Sequence, residues 1–241
     1  MRVGVISDVH GNLDALEAVL AALGSVDALW CLGDVVGYGA APNECVARLR
    51  ALDAVCIVGN HDLAALGEVS LDTFNGEAAA AARWTASALA PESRAWLAAR
   101  GPSTTVESAL LAHGSPYDPV WEYVTNGRTA ARCLTCFDGP LCLIGHTHVP
   151  SSFVQRPDGQ LQAEYRVEGD VLELGEARAL ANPGSVGQPR DEDPRAAYLV
   201  FDSERATLTW HRTPYPVAAA QEKIIAAGLP PRLARRLAAG L

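Results

Sequence analysis

Polar side chains that can bind metal ions recur between residues 8 and 148. The set comprises Asp8, His10, Asp34, Asn60, His61, His113, His146 and His148. Each residue alone is more often structural than functional, but a Gly-His-Thr-His string such as residues 145–148 arises by chance with odds on the order of 10⁻³. Carboxylate, imidazole and amide ligands together suit Mn, Fe, Zn, Co or Ni better than Ca or Mg. The set therefore predicts a site for such divalent cations.

The spacing within this set indicates how two cations could be held. Asp8 and His10 are two residues apart, as are His146 and His148, so each pair can point to one side of a strand end. Two cations about 3.5–4 Å apart need a bridging carboxylate, and Asp34 is the candidate. Bound cations lower the pKa of water from about 15.7 to about 7, so hydroxide could attack phosphorus in line at neutral pH. The pattern predicts a phosphoester hydrolase with two divalent metal ions, with manganese favoured over Fe, Zn, Ni or Co.

The segments before these residues show how they could be brought together. Residues 2–7, 28–32 and 54–58 are short apolar runs, and each ends directly before one of the polar clusters. Helical patterns separate the runs, and Asn12 can cap the first helix. Alternation of strand and helix predicts a parallel sheet. The ligand site of such a sheet lies beyond the carboxyl ends of its strands, where the polar clusters fall.

Shorter strand-like runs dominate the second half of the chain. Residues 108–112 lead into His113, and residues 141–144 lead into the Gly-His-Thr-His string. Residues 151–202 alternate such runs with turn signals, which predicts antiparallel strands that complete a second sheet. These strand ends would present further imidazoles to the site.

Length and composition predict one domain. A chain of 241 residues with 49% hydrophobic composition can bury a single substantial core, so we expect one domain over 1–241. Within it, residues 63–102 are alanine-rich and helical. They predict a helical cap insertion beside the site, with plain surface packing as the alternative.

Charge and cysteine content exclude some classes of partner. The net charge of −9 argues against nonspecific nucleic-acid binding, which requires dense Lys and Arg. No apolar run reaches the roughly 20 residues that span a bilayer, and no secretory signal peptide precedes the first strand-like run. The six cysteines are scattered through apolar segments and are expected to be reduced. We therefore expect a cytoplasmic protein with a small phosphoester substrate and no membrane partner. The basic face formed by Arg232, Arg235 and Arg236 is expected to be solvated, and the oligomeric state is left open.

The joint pattern resembles a known family. Its motifs are Asp8-x-His10, Gly33-Asp34, Gly59-Asn60-His61-Asp62, His113 and Gly145-His146-x-His148. They resemble the calcineurin-like metallophosphoesterase superfamily. The segment 182–190, Asn-Pro-Gly-Ser-Val-Gly-Gln-Pro-Arg, is similar to the small bacterial and archaeal phosphodiesterase branch of that superfamily.

The resemblance implies a role for each residue of the set. It implies one metal ion bound by Asp8, His10, Asp34 and His148, and a second bound by Asp34, Asn60, His113 and His146. It also implies that His61 stays off the metals and donates a hydrogen bond or proton to the phosphate or leaving group, with Asp62 orienting it. The implied fold is α/β, a four-layer α/β/β/α sandwich of two packed mixed sheets flanked by helices.

Several alternatives stay open at this point. A phosphodiester substrate is favoured because relatives in the small branch often hydrolyse diester test substrates and the alanine-rich segment offers few basic groups. Entry of Arg83, Arg128 or Arg190 into the site would instead favour a phosphomonoesterase resembling protein Ser/Thr phosphatases. A metal-bound scaffold without catalysis is the third alternative. Tyr38 and Trp121 could stack a base, although core or surface packing is the favoured interpretation.

Overall fold

The computed structural model describes residues 1–241, which form twelve strands and eight α-helices. The strands are β1 (Arg2–Ile6), β2 (Ala28–Cys31), β3 (Val55–Cys56), β4 (Ser103–Val106), β5 (Ala109–Ala112), β6 (Leu141–Ile144), β7 (Ser151–Gln155), β8 (Leu161–Tyr165), β9 (Val171–Glu173), β10 (Arg178–Asn182), β11 (Ala196–Asp202) and β12 (Thr207–Thr213). The helices are α1 (Leu13–Leu23), α2 (Pro42–Ala51), α3 (Asn60–Leu66), α4 (Gly76–Ala88), α5 (Pro91–Ala98), α6 (Gly127–Cys133), α7 (Val217–Ala226) and α8 (Pro231–Leu237). None of the helices is both long enough and apolar enough to cross a bilayer.

The strands form two mixed sheets of six. The first sheet has the order β3-β2-β1-β11-β12-β9, and the second has the order β4-β5-β6-β10-β7-β8. Strands β1, β2 and β3 are mutually parallel, as are β5, β6 and β10. The carboxyl ends of the parallel strands therefore share one edge in each sheet, where the sequence places the polar clusters.

The prediction for residues 151–202 is wrong in part. Strands β7, β8 and β10 join the second sheet, but β10 runs parallel to β6, and β9 and β11 join the first sheet. Strand β11 lies beside β1 in antiparallel register. All of its residues except Asp202 are buried, which is typical of a central strand covered on both faces.

Apolar side chains from both sheets meet in a layer between them. Trp30 of β2, Leu143 of β6 and Trp210 of β12 are almost wholly buried there, and burial of one large apolar side chain contributes about 1.5–3 kcal/mol. The outer face of the first sheet is covered by α1, α2, α4, α5, α7 and α8, and that of the second by α6. The four layers confirm the α/β/β/α sandwich.

Residues 63–102 form part of the helical layer on the first sheet. Helices α4 and α5 pack against α2 and α3, and Ala78, Ala81 and Leu97 contribute to the apolar cluster beneath them. Phe74, just before α4, contacts His61 edge-on with ring centroids 5.0 Å apart. The segment thus packs on the surface helices and also reaches the polar cluster, and its assignment as a cap insertion of a single domain stays a prediction.

Candidate metal centre

The loops that follow the parallel strands carry the polar residues to one place. Asp8 follows β1, Asp34 follows β2, His113 follows β5, and His146 and His148 follow β6. All of these except His113 have left-handed backbones, with φ between 51° and 66°. A non-glycine residue in this region is strained by about 1–3 kcal/mol, and such strain concentrates at functional sites.

The first of two ligand clusters lies at the ends of β1, β2 and β6. It consists of the buried side chains Asp8, His10, Asp34 and His148, whose ligand atoms all lie within 4.8 Å of one another. The His148 Nε2 atom is 3.2 Å from Asp8 Oδ1 and 3.1 Å from His10 Nε2. His10 Nε2 is 3.7 Å from Asp34 Oδ2. The structure therefore brings together all four residues expected to bind one cation.

The second cluster shares Asp34 with the first. His113 Nε2 is 3.4 Å from Asp34 Oδ2 and 3.2 Å from His146 Nδ1. The Asn60 side-chain oxygen is 3.2 Å from the same His113 nitrogen. Asp34 Oδ2 thus lies between the clusters, at the place expected for a bridging ligand.

Backbone carbonyl groups fix the orientation of three imidazoles. The Nδ1 atoms of His10, His113 and His148 lie 3.2, 2.8 and 2.6 Å from the carbonyl oxygens of Val36, Leu32 and Gln188, respectively. Because a carbonyl oxygen can only accept, each Nδ1 donates, which leaves each Nε2 lone pair free for a ligand bond.

One oxygen of each central carboxylate is held by the protein. Asp8 Oδ2 accepts from the Ser7 hydroxyl at 2.6 Å and from the backbone amide of His146 at 3.1 Å. Asp34 Oδ1 accepts from the backbone amide of His61 at 2.8 Å. The other oxygens, Asp8 Oδ1 and Asp34 Oδ2, are buried without a hydrogen-bond donor and face the imidazole nitrogens.

The comparison with known proteins decides the family. Residues 1–206 match the calcineurin-like phosphoesterase superfamily domain. The chain belongs to the calcineurin-like phosphoesterase superfamily.

Similar proteins match nearly the whole chain or a part of it. The crystal structure of a metallophosphoesterase from Sphaerobacter thermophilus is 44% identical and superposes with a TM-score of 0.91, covering 100% of this chain and 99% of that one. A Methanocaldococcus jannaschii protein is 38% identical over 247 residues, covering 99% of this chain and 98% of its own length. A shorter match of 68 residues, 38% identical, covers 26% of this chain and 24% of the symmetrical bis(5'-nucleosyl)-tetraphosphatase of Yersinia pestis.

The donor set of this calcineurin-like domain fits divalent cations. A buried carboxylate oxygen without a donor is destabilising by about 1–3 kcal/mol or more. Asp8 and Asp34 each have one such oxygen, and a divalent cation held by these residues would remove that penalty. The three oriented Nε2 atoms and the Asn60 oxygen complete a mixed oxygen and nitrogen ligand set. A buried His/Asp cluster that can bind divalent metal is therefore present in this member of the family.

The electrostatics of the cluster also suit metal ligation. Burial lowers the pKa of His10 and His148, and lowers that of His146 to about 3, so these imidazoles are neutral. Burial raises the pKa of the two central carboxyls, but the adjacent imidazoles outweigh it and hold both pKa values well below the usual range. Burial likewise lowers the pKa of His113, but the Asp34 carboxylate outweighs it and raises the value to about 9. The carboxylates thus attract positive charge, which a divalent cation supplies more strongly than a proton.

His61 lies at the rim of the clusters. Its ring contacts His10 with centroids 5.0 Å apart and Tyr38 with centroids 4.3 Å apart. The His61 Nδ1 atom is buried against Gly37 without a hydrogen-bond partner. Nε2 is therefore the nitrogen that can meet a substrate. Burial lowers the pKa of His61 to about 4, so the ring is neutral at pH 7.

Asp62 is held by backbone amide groups. Its carboxylate accepts from the backbone amides of Val35, Val36 and Gly59 at 3.2, 2.9 and 3.0 Å and makes no hydrogen bond to the His61 ring. Burial, followed by the negative charge of Asp34, raises the pKa of Asp62 to about 7. Asp62 thus ties the Asp34 loop to the start of α3, and any orienting effect on His61 passes through the backbone.

Sequence reasoning identified the segment 182–190 only as a family motif. In the structure, residues 183–190 form a loop, here called the 183–190 loop, that is fastened to the turn after β1. The Ser185 hydroxyl and the Gly187 amide donate to the Asp8 carbonyl oxygen at 2.8 and 2.9 Å, and the Asn12 side chain donates to the Gly187 carbonyl oxygen at 3.0 Å. The loop thus supports the first ligand cluster, and the motif was the signal for it.

The aromatic residues near the centre differ in accessibility. Tyr38 is buried against His10 and His61, so it is a packing residue. Trp121 packs edge-on against Phe74 with centroids 5.7 Å apart. Tyr123, which sequence reasoning missed, stacks on His146 with centroids 3.9 Å apart and is 48% exposed. No sequence pattern marked it, because it lies in an irregular loop.

Proposed function

We propose that the protein is a phosphodiesterase that uses two divalent cations, with manganese favoured. The proposed ligands are Asp8, His10, Asp34 and His148 for one cation and Asp34, Asn60, His113 and His146 for the other. The observation that carries this proposal is Asp34 Oδ2, a buried carboxylate oxygen without a donor that lies between both clusters. A shared oxygen of this kind suits two cations about 3.5–4 Å apart.

The bound cations would activate water and neutralise the charge of the phosphoryl group. The chain's own residues hold and orient the reacting parts. His61 presents Nε2 at the rim and, being neutral, donates a hydrogen bond to a phosphoryl or leaving-group oxygen. A bound phosphate would raise the pKa of His61 through its negative charge, so proton donation becomes favourable only when substrate is present. Asp62 holds the loop that carries Asp34 against the start of α3, which carries His61.

Two observations support a diester substrate. Arg83 and Arg128 are exposed on α4 and α6 and form no ion pair with the centre, so the helical segment adds little positive charge for a dianionic monoester. The 68-residue match is to a tetraphosphatase of dinucleoside substrates, whose phosphate groups each carry two links. A small phosphoester substrate and a cytoplasmic location are part of the same proposal.

A phosphomonoesterase is the second candidate. The observation that favours it is Arg190, whose charge acts on both His61 and His148. An arginine at this position could meet the additional charge of a monoester dianion.

The deciding experiment compares two substrates on the same preparation. Release of p-nitrophenolate is measured from bis-p-nitrophenyl phosphate and from p-nitrophenyl phosphate, with added Mn²⁺ and after chelator treatment, and bound metal is counted by mass spectrometry. The proposal expects two metal ions per chain and faster, metal-dependent turnover of the diester. Faster turnover of the monoester would establish the second candidate. Two bound metal ions without turnover of either would establish a scaffold.

A further inference from the structure

Arg190 ends the 183–190 loop and lies beside the first ligand cluster. Its guanidinium donates to the Gln188 side-chain oxygen at 2.9 Å. The carbonyl oxygen of Gln188 in turn accepts from His148 Nδ1 at 2.6 Å. Gln188 therefore contacts both a ligand imidazole and the arginine, which places a cationic side chain next to the metal centre.

The charge of Arg190 is not balanced by a carboxylate. Its Nε atom is buried without an acceptor, and its guanidinium forms no ion pair. The nearest carboxylate in sequence, Asp191, binds Arg212 instead. A partly buried cation without an anionic partner is destabilising, so this position suits an anion that arrives from solution.

The surroundings of Arg190 add positive charge and a hydroxyl group. Burial lowers the pKa of Arg236 on α8, and the charge of Arg190 lowers it further, so two cations lie close together. Burial raises the pKa of Tyr123, and the nearby Arg190 guanidinium partly offsets that rise. Tyr123 also stacks on His146, so this hydroxyl-bearing side chain contacts the second cluster.

Arg190 is held in place before any ligand binds. Hydrogen bonds from Ser185, Val186 and Gly187 fasten the 183–190 loop to the backbone of Ser7 and Asp8. A side chain on an immobilised loop loses little freedom on binding, which favours recognition of an anion with defined geometry. The hydrogen bond that the Arg190 guanidinium donates is to Gln188, two positions earlier in the same loop.

We infer that Arg190, with the Tyr123 hydroxyl beside it, binds a second phosphoryl group linked to the one at the metal centre. The inference rests on the proposed function and narrows its substrate class to molecules with two adjacent phosphoryl groups. A planar guanidinium can bind two phosphoryl oxygens at once, which suits the non-reacting phosphate of such a chain. The neighbouring Arg236 adds long-range attraction for the same negative charge.

The test uses two inorganic probes on the Mn²⁺-loaded protein. Inorganic pyrophosphate and orthophosphate are titrated by calorimetry into the wild type, Arg190→Gln and Arg205→Gln, and the metal content is checked after each titration. Arg205 is the matched control because it is exposed in the turn between β11 and β12, at the opposite end of the first sheet. Arg190→Gln is expected to weaken pyrophosphate binding by about ten- to hundredfold and orthophosphate binding by less than about threefold. Arg205→Gln is expected to change neither.

Three results would overturn the inference. In the first, Arg190→Gln weakens the binding of pyrophosphate and orthophosphate equally, which would mean that Arg190 acts on the metal-held phosphoryl group. In the second, Arg190→Gln weakens the binding of neither probe. In the third, the wild type binds both probes with equal affinity. If Arg190→Gln does not fold, Arg190→Lys replaces it, with the same selective weakening expected because lysine cannot bind two oxygens in a fork.

Turnover separates this inference from the proposed function. Hydrolysis of bis-p-nitrophenyl phosphate, which has one phosphoryl group, tests the function alone. A wild type that binds pyrophosphate through Arg190 without any turnover would refute the function and leave the subsite in place. If the wild type turns over the diester, but Arg190→Gln weakens the binding of both probes equally, the proposed function stands and the subsite is refuted.

Discussion

The two ends of the sandwich differ in whether their polar side chains are buried or exposed. At one end, the loops after β1, β2, β5 and β6 bury carboxylates and imidazoles, and some of their atoms lack hydrogen-bond partners. At the other end, the charged side chains of the hairpin turns are exposed. There, Arg205 Nε and Asp202 Oδ2 form a surface ion pair at 3.8 Å. Surface pairs of this kind contribute little to stability.

Backbone strain does not distinguish the two ends. Glu107 and Ala206, in the turns of the far end, have φ values of 53° and 52°, close to the 54° of Asp8. Tight hairpin turns require such values for geometric reasons. The difference is that the strained residues of the metal centre direct polar groups inward, where their burial is unfavourable unless a cation is bound. Buried polar groups, rather than strain alone, therefore mark the functional end.

The sharpest test of this contrast exchanges one carboxylate at each end for its amide. Asp34→Asn removes the charge of the shared oxygen, and we expect kcat/KM on the diester to fall by about 10³-fold or more with loss of bound metal. Asp202→Asn keeps the acceptor that caps its turn and should leave kcat/KM unchanged. Metal counting and steady-state kinetics measure both. Full activity with two metal ions in Asp34→Asn would remove the basis for a shared ligand.

A second test compares two histidines. His61→Ala removes the hydrogen-bond donor at the rim, and we expect kcat to fall by about 10²–10³-fold while the metal content is retained. His211→Ala removes a ring of β12 that stacks on Tyr198 of β11, and it is expected to leave kcat unaffected. A metal content that falls in parallel with kcat in His61→Ala would assign His61 to the ligands instead.

Metal removal should destabilise the end of the sandwich that holds the metal centre, and should thereby lower the thermal stability of the whole domain. A ligand at a hundredfold excess over its Kd raises the free energy of unfolding by about 2.7 kcal/mol for each site. In a chain of this size, each kcal/mol raises Tm by about 2–4 °C. We therefore expect Mn²⁺ to raise Tm by about 5–10 °C relative to chelator-treated protein, measured by calorimetry. Asp8→Asn should reduce that increment. Identical melting curves with and without metal would show that the buried carboxylates do not need a cation.

The smallest effect is expected from a glycine at the far end. Gly159 has φ +85° and no atom within 4 Å of an added Cβ, so Gly159→Ala introduces backbone strain without a collision. We expect a loss of about 1 kcal/mol in the free energy of unfolding, measured with urea, and no change in kcat/KM. A drop in activity would mean that the two ends are coupled.

The candidate site was predictable because its signals are local. The polar residues follow apolar runs, so strand ends and candidate ligands could be predicted together, and the structure brings these residues into two clusters. The helix–strand alternation likewise predicted the parallel part of the first sheet, and the resemblance implied the four layers that the structure confirms.

The failures concern contacts between distant parts of the chain. Strand β11 pairs with β1, and the pattern of residues 151–202 does not indicate which strand β11 should pair with. The Asp62 carboxylate binds the amides of another loop, and a backbone amide has no sequence signature. The unbalanced charge of Arg190 was also hidden, because an arginine is recognised as unpaired only when its surroundings are known.

The fastening of the 183–190 loop onto the turn after β1 has a consequence for synthesis on the ribosome. Asp8 and His10 emerge early, but Gln188, whose carbonyl oxygen fixes the His148 ring, is added much later. Strand β11, which completes the pairing of β1, follows later still. A growing chain therefore exposes all of the proposed metal ligands before it can hold them in place. We expect nascent chains to bind metal weakly and the released, full-length chain to acquire it.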